Sequence, residues 1–78
     1  MNNLCISVGI VAYNEELYIP NLLDELLAQD YPKEFVELLL IDSMSTDSTK
    51  AIFEQFKTEY CNIYKNILTH AVLLIKNR

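Results

Sequence analysis

The sequence predicts a small α/β fold of β-α-β-α order in which the strands are parallel. Two apolar runs of strand length, residues 4–12 and 35–42, are each followed by a polar segment and then by a stretch with helical spacing of apolar residues. Strands that alternate with helices favour a parallel sheet with right-handed crossovers. A chain of 78 residues holds one small domain, so residues 1–78 are predicted to form a single unit.

The first element is predicted to be a strand over residues 4–12. Its apolar side chains are mostly β-branched, which together with Gly9 favours a strand over a buried helix. Because the run is almost continuously apolar, we expect both faces of this strand to be buried.

The next element is predicted to be an amphipathic helix that begins near Ile19. Pro20 suits the first turn of a helix, where its missing N–H has no intrahelical partner. Further apolar residues recur at helical spacing: Leu22, Leu23, Leu26 and Leu27. Because a residue before proline is driven out of the α region, the helix should end before Tyr31 and Pro32.

A second strand and a second helix are predicted next. The run "FVELLLID" (35–42) has one charged interruption before its last residue and indicates another buried strand. The polar stretch "SMSTDSTK" (43–50) follows it, and either Ser45 or Asp47 is the expected N-cap of a helix that carries the apolar residues of segment 51–56.

The last third of the chain is predicted to be helical over residues 60–76. Apolar side chains continue at helical phase through this stretch, and no Gly or Pro follows Pro32 to end the helix. A short strand within "NIYKNIL" (62–68) stays open as the alternative. His70, the only histidine, is expected to be a surface or packed residue rather than a catalyst.

Composition argues against several functional classes. A net charge of -5 disfavours nucleic-acid binding, because an acidic surface repels phosphates. Cys5 and Cys61 have neither CxxC spacing nor accompanying histidine clusters, which argues against a zinc or redox site. No apolar run reaches the roughly 20 residues of a membrane-spanning helix, and the N-terminus lacks the features of a secretory signal peptide. We therefore predict a cytoplasmic chain without a membrane span.

Two polar clusters follow the predicted strands: "AYNEE" (12–16) and "DSMSTD" (42–47). In parallel sheets, ligands bind beyond the carboxyl ends of the strands, and the clusters meet there if the two strands are neighbours. A tyrosine ring can stack on a nucleobase, and a fixed carboxylate can accept a hydrogen bond from an imide N–H or a ribose hydroxyl. Ordinary roles are the alternative, in which the polar residues cap helices and the tyrosine packs.

The segments "ISVGIVAYNEE" (6–16) and "LLLIDSMSTDST" (38–49), with the helical stretch between them, resemble the N-terminal nucleotide-binding segment of the family 2 glycosyltransferases. The resemblance covers about residues 4–57, and residues 58–78 depart from it. It implies a partial Rossmann-like GT-A fold in a truncated glycosyltransferase-like domain that lacks the catalytic half.

The resemblance implies a nucleotide site that begins at the end of the first strand. Tyr13, Asn14 and Glu15 match the family's Pro-Thr-Tyr-Asn-Glu type sequence, whose backbone and aromatic ring hold the base. Val11 and Ala12 stand where proline and threonine are common.

The second strand end carries the implied carboxylate contact. Asp42 matches the family's first aspartate, which contacts base or ribose, while Ser43 and Met44 replace the aspartate and glycine that follow. The implied nucleotide-binding residues are Val11, Ala12, Tyr13, Glu15 and Asp42, and the residues implied to shape the loop or cap a helix are Asn14, Ser45 and Asp47.

Catalysis is not expected from this chain alone. Enzymes of this family hold a divalent metal and the sugar diphosphate through an Asp-x-Asp motif, and no two aspartates here have that spacing. No catalytic residue and no metal ligand is predicted, and Mn²⁺ or Mg²⁺ is expected only for a full-length family member. The resemblance implies the N-terminal part of an enzyme that transfers a sugar from a nucleotide-diphosphate sugar, with a UDP-sugar as the expected donor and weak nucleoside binding by the chain itself.

A non-catalytic oligomeric module is the alternative function. In the complete family fold the first strand is interior, so a chain without the later strands exposes an apolar edge that a protein must cover or pair. We therefore expect a homo-oligomer.

Overall fold

The computed structural model describes residues 4–72, in which three strands alternate with two helices. The elements are β1 (Ile6–Ala12), α1 (Ile19–Leu27), β2 (Val36–Asp42), α2 (Thr49–Tyr60) and β3 (Asn66–Ala71), with a short 3₁₀ turn at Lys33–Phe35. All pairings are parallel and the strand order is β1-β2-β3, so β2 is central. The predicted α/β fold with parallel strands is confirmed.

One face of the sheet carries the core. Side chains of β2 alternate, so that Val36, Leu38 and Leu40 are buried while the residues between them are half-buried. Both crossovers lead in the same direction across the sheet, and right-handed connections therefore put α1 and α2 on one face. The helices contribute these buried apolar side chains: Ile19, Leu23, Leu26, Phe53 and Phe56.

The first helix begins and ends close to its predicted positions, whereas the second begins after Ser48 rather than after the predicted N-cap Ser45 or Asp47, and it ends where no end was predicted. α1 begins at Ile19 with Pro20 in its first turn, and it ends before Tyr31. α2 has 12 residues and buries Phe53 and Phe56. Neither helix of residues 4–72 is long and apolar enough to cross a membrane.

The opposite face of the sheet has no covering layer among residues 4–72. Its three rungs across β1, β2 and β3 are Ser7-Glu37-Asn66, Gly9-Leu39-Leu68 and Val11-Ile41-His70. The first rung is polar, because the Glu37 carboxylate accepts hydrogen bonds from Ser7 Oγ at 3.2 Å and from Asn66 Nδ2 at 3.5 Å. Apart from His70, the other two rungs form an apolar strip, called the bare face below, which consists of Gly9, Val11, Leu39, Ile41 and Leu68.

β1 is an edge strand of the described sheet, and its side chains are mostly exposed, so the expectation that both its faces would be buried is wrong. Its side chains Ile6 and Val11 are 39% and 53% exposed, and Ala12 is its one buried residue. An apolar run indicates that a strand is buried, but it does not show which segments bury it. The described residues supply one layer of helices, which covers one face of the sheet.

The C-terminal segment contains a strand where we predicted a helix, and that prediction is wrong. α2 ends at Tyr60, the chain turns over residues 61–65, and Asn66–Ala71 pairs in parallel with β2. The apolar spacing that suits a helix also fits a strand here, because Ile67 is buried between two exposed neighbours. The segment forms a strand because it pairs with the side of β2 that β1 leaves free, and the local sequence does not reveal this pairing. The predicted helical residues 73–76 lie outside the described part of the chain.

Asp47 ties the amino ends of the two helices together. Its Oδ1 accepts the Thr49 N–H at 2.9 Å, and its Oδ2 accepts the Glu16 N–H at 3.2 Å. Desolvation opposes the charge, but hydrogen bonds from Thr49 and from the Glu16 backbone outweigh it, so the pKa of Asp47 is lowered from its ordinary value. The carboxylate therefore favours the folded state while it is ionised.

Asp47 should make the fold more stable at neutral pH than at acid pH. Because its pKa is lower in the folded chain, its contribution is complete well above the ordinary value of 3.8 and is lost as the pH falls through the folded value. Asp47→Asn should therefore unfold at a lower temperature than the wild type near neutral pH, and the difference should shrink as the pH falls below 3.8. Thermal unfolding followed by circular dichroism at several pH values measures this.

The control for this prediction is Asp30→Asn. The Asp30 carboxyl is exposed and accepts no hydrogen bond within residues 4–72, so its neutralisation should leave the pH dependence unchanged. An equal effect of both substitutions would contradict the role given to Asp47.

Tyr64 buries a hydroxyl that has no hydrogen-bond partner among the described residues. The side chain is 5% exposed and packs near the Phe56 ring, with centroids 6.2 Å apart. Burial, with a smaller effect of Tyr60, raises the pKa of the phenol. Tyr64→Phe keeps the ring and removes the unpaired polar atom, so it should raise the free energy of unfolding by about 1 kcal/mol.

Urea unfolding of the Tyr64→Phe variant measures that gain. Tyr60→Phe, at a half-buried ring, is the matched control and should change stability little. A less stable Tyr64→Phe variant would show that the Tyr64 hydroxyl is hydrogen-bonded in solution.

Candidate functional site

Two loops lie side by side beyond the carboxyl edge of the sheet. β1 and β2 end at the same level, because Ala12 pairs with Asp42 and the Ser43 N–H then donates to the Ala12 carbonyl at 2.8 Å. The loops that follow, residues 13–18 and 43–48, therefore face each other. The predicted meeting of the two polar clusters is confirmed.

Three consecutive backbone N–H groups of the first loop donate to side-chain oxygens that follow β2. Asn14 N–H donates to Ser45 Oγ at 2.9 Å, and Glu15 N–H donates to Thr49 Oγ1 at 3.0 Å. The bond from Glu16 N–H described above completes the run. These bonds fix the backbone of the first loop without using the side chains of Glu15 and Glu16.

Asn14 also accepts a hydrogen bond from the second loop. Its Oδ1 accepts the Thr46 N–H at 2.8 Å, which supports a backbone φ of 50° at Asn14. The N-cap positions of α1 and α2 are Tyr18 and Ser48, and neither makes a capping side-chain hydrogen bond. Asn14 and Ser45, predicted to shape the loop or cap a helix, therefore join the two loops to each other.

Asp42 is the buried carboxylate of the site. Only 3% of its surface is exposed, and its Oδ1 accepts the Ser45 N–H at 3.2 Å. Its other oxygen, Oδ2, accepts no hydrogen bond from residues 4–72. Oδ2 is not among the fully buried, unpartnered polar atoms of the described residues, so it reaches the surface and is available to accept a hydrogen bond from a ligand.

A cavity of about 220 Å³ lies beside Asp42, between α2 and β3. Leu40 and Phe53 give it an apolar floor. Its charged and polar lining residues are Asp42, Lys50, Glu54, Thr69 and His70. Sequence reasoning missed Lys50, Thr69 and His70 as lining residues, because the cavity exists only where β3 lies against α2. The parallel register that pairs Leu40 with Thr69 places Thr69 on the helix-covered face beside the cavity, and no signal in the sequence pointed to Lys50 or His70.

The other residues implied to bind nucleotide differ in whether their side chains or only their backbone groups reach the loop edge. Tyr13 is 57% exposed in the first loop, so its ring is open to a stacking partner, and Glu15 is exposed beside it. Ala12 is buried and the Val11 side chain belongs to the bare face, so these two meet the loop edge only through their backbones. The structure thus brings Tyr13, Glu15 and Asp42 to one edge of the sheet.

The resemblance implies a divalent metal in full-length enzymes, and the described residues do not fit one. No group of three or more His, Cys, Asp or Glu side chains among residues 4–72 could hold a metal ion together. Oxygen-rich sets of ligands are what Mn²⁺ and Mg²⁺ prefer. A metal ion in a complete enzyme of this kind would need ligands from other residues.

Comparison with known proteins identifies the family. The model described as Glycosyl transferase family 2 matches residues 7–70, which include both loops and most of β3. The chain is 43% identical over 58 residues to a poly(ribitol-phosphate) beta-glucosyltransferase of Bacillus spizizenii, a match that covers 74% of this chain and 9% of that protein. It is also 43% identical over 58 residues to the glycosyltransferase AglE of Haloferax volcanii, covering 74% of this chain and 19% of that protein.

A solved structure shows the same fold. The mannosyltransferase PcManGT from Pyrobaculum calidifontis, in complex with GDP-Man and Mn²⁺, superposes with a TM-score of 0.79 at 24% identity, over 95% of this chain and 21% of that chain. Our chain therefore spans less than a quarter of the length of each of these three proteins. The fold resembles part of a GT-A glycosyltransferase, as predicted, and the chain belongs to glycosyl transferase family 2.

Proposed function

We propose that this chain forms the nucleoside-binding part of a glycosyltransferase that transfers a sugar from a nucleotide-diphosphate sugar, with a UDP-sugar as donor. Asp42 carries the proposal, because it is a buried carboxylate with one available oxygen beside a cavity at the carboxyl edge of the sheet. Family membership and the likeness to a mannosyltransferase that holds GDP-Man and Mn²⁺ support this class of ligand. Residues 1–78 act as one domain.

Each residue of the site has a role set by its chemistry. The Asp42 carboxylate accepts a hydrogen bond from the imide N–H of uracil or from a ribose hydroxyl. The exposed Tyr13 ring stacks on the base. Glu15 holds the loop through its backbone N–H and so offers its side chain to the nucleoside. Val11 and Ala12 contribute backbone groups at the end of β1.

The chain on its own binds nucleoside weakly and does not transfer sugar. Residues 4–72 offer no set of metal ligands, and the matches reach 9% and 19% of two family relatives. The transfer chemistry, including any divalent metal, therefore belongs to parts of the relatives that the matches do not reach.

A cytoplasmic location accompanies this proposal. Cys5 and Cys61 are exposed and are not joined in a disulfide. Exposed thiols persist where the compartment is reducing, whereas secreted proteins tend to pair them.

A second candidate function is a non-catalytic oligomeric module, and the bare face favours it. Parallel sheets are normally covered on both faces, and residues 4–72 cover only one face of this sheet. The edge of β1 adds backbone groups that another strand can pair. In both candidate functions, a second copy of the chain covers these surfaces.

UDP should bind saturably to the purified chain, and Asp42→Asn should weaken the binding about tenfold or more. A hydrogen bond to a charged group is worth about 1.5–3 kcal/mol, so loss of the charge removes at least one factor of ten. The asparagine Oδ1 can still accept the Ser45 N–H, which preserves the loop. Isothermal titration calorimetry with UDP, with and without Mn²⁺, measures both affinities.

Two controls sharpen this titration. Asp24→Asn, at an exposed carboxyl of α1, should bind UDP as the wild type does. CDP separates the two contacts proposed for Asp42: it should bind more weakly than UDP where the carboxylate accepts the imide N–H of uracil, and equally where it accepts a ribose hydroxyl. No binding at millimolar UDP would contradict the proposal, and unchanged binding by Asp42→Asn would remove Asp42 from the site.

The chain should sediment as a dimer or larger assembly at micromolar concentration. Leu68→Lys places a charge on the bare face and should shift the equilibrium toward monomer, because a buried unpaired charge is costly. Leu22→Lys is the matched control, since Leu22 is 42% and Leu68 is 37% exposed but Leu22 lies on α1. A wild-type monomer in sedimentation velocity would contradict the assembly.

A further inference from the structure

Two residues in the described chain have a positive φ without being glycine, and both lie in the candidate site. Asn14, with φ of 50°, follows β1, and Met44, with φ of 57°, follows β2. The left-handed conformation brings Cβ close to the following carbonyl oxygen, a clash that glycine avoids. Strain of this kind is often found at functional sites, where the surroundings hold it in place.

Asn14 has local compensation for its conformation, whereas Met44 has none. The short polar side chain of Asn14 tolerates this region, and its Oδ1 accepts the Thr46 N–H at 2.8 Å. The Met44 side chain makes no hydrogen bond within residues 4–72, and it is 55% exposed. Packing against the rest of the chain therefore offsets little of its strain.

Neighbouring backbone bonds impose the conformation on Met44. The Ser43 N–H is held by the Ala12 carbonyl at 2.8 Å, and the Ser45 N–H is held by Asp42 Oδ1 at 3.2 Å. The chain must turn between these two fixed groups, and the residue between them supplies the turn. Glycine would supply it with the least strain, so the loop has no need of a methionine side chain for its own stability.

On the basis of the function proposed above, we propose that Met44 contacts the bound nucleoside. Its side chain leaves the backbone two residues after the Asp42 carboxylate, at the edge of the sheet where the exposed Tyr13 ring also lies. A methionine side chain is flexible and polarizable, and its sulfur packs well against aromatic rings. The base then contacts an aromatic ring and a thioether in addition to the carboxylate.

Met44→Gly tests this inference, because the two expected effects have opposite signs. Relief of strain should raise the melting temperature by about 4 °C. Loss of the contact should raise the Kd for UDP by about fivefold or more, the size of a modest apolar contact. Met44→Leu keeps both the strain and the apolar bulk, so its melting temperature and its UDP affinity should stay close to those of the wild type.

Thermal unfolding without ligand and calorimetric titration with UDP provide the two measurements for each variant. Ile63→Ala removes a side chain of similar exposure, 48%, from the turn after α2, and it should leave the UDP affinity unchanged. A stabilised Met44→Gly variant that binds UDP as tightly as the wild type overturns this inference and leaves the proposed function intact. A wild-type chain that does not bind UDP overturns both.

Discussion

The parallel pairing of β1 with β2 is the interaction on which the rest of the structure depends. Its register ends the two strands at Ala12 and Asp42, so both chains leave the sheet at the same level. An antiparallel pairing would send the two loops to opposite edges of the sheet. The same pairing positions Leu38 and Leu40 under the helices, where they are fully buried. One set of backbone hydrogen bonds thus builds the core and assembles the site.

Most of the fold could be predicted because its signals are local. Pro20 suits only the start of α1, and Tyr31 with Pro32 limits the end of that helix. β3 could not be predicted in this way, since its apolar spacing suits a helix as well as a strand. Its conformation is decided by pairing with β2, which lies about 30 residues earlier in the chain and is joined to it by α2.

The residues of the candidate site also fall into those that local sequence signals predict and those that depend on tertiary pairing. Tyr13 and Asp42 could be found from the sequence, because they stand at strand ends and a parallel sheet gathers such ends at one edge. Lys50 and His70 could not, because the cavity that they line exists only when β3 has joined the sheet. Methionine itself gives no sign of the left-handed backbone at Met44, and the one signal is that the family resemblance has glycine at this position. The local sequence therefore predicts which edge of the sheet carries the site, whereas the pairing of β3 with β2 determines which further residues line the cavity.

Three of the hydrogen bonds that hold the first loop run from its backbone N–H groups to side-chain oxygens at positions 45, 47 and 49. Positions 45, 47 and 49 must therefore keep a side chain with an oxygen acceptor, whereas positions 15 and 16 need only an N–H, which every amino acid except proline has. Substitutions at positions 15 and 16 can therefore change the side chains of the first loop without removing the hydrogen bonds that hold it. In this arrangement the second loop supplies the side chains that hold the backbone, and the first loop presents side chains that can change to suit ligands of different chemistry.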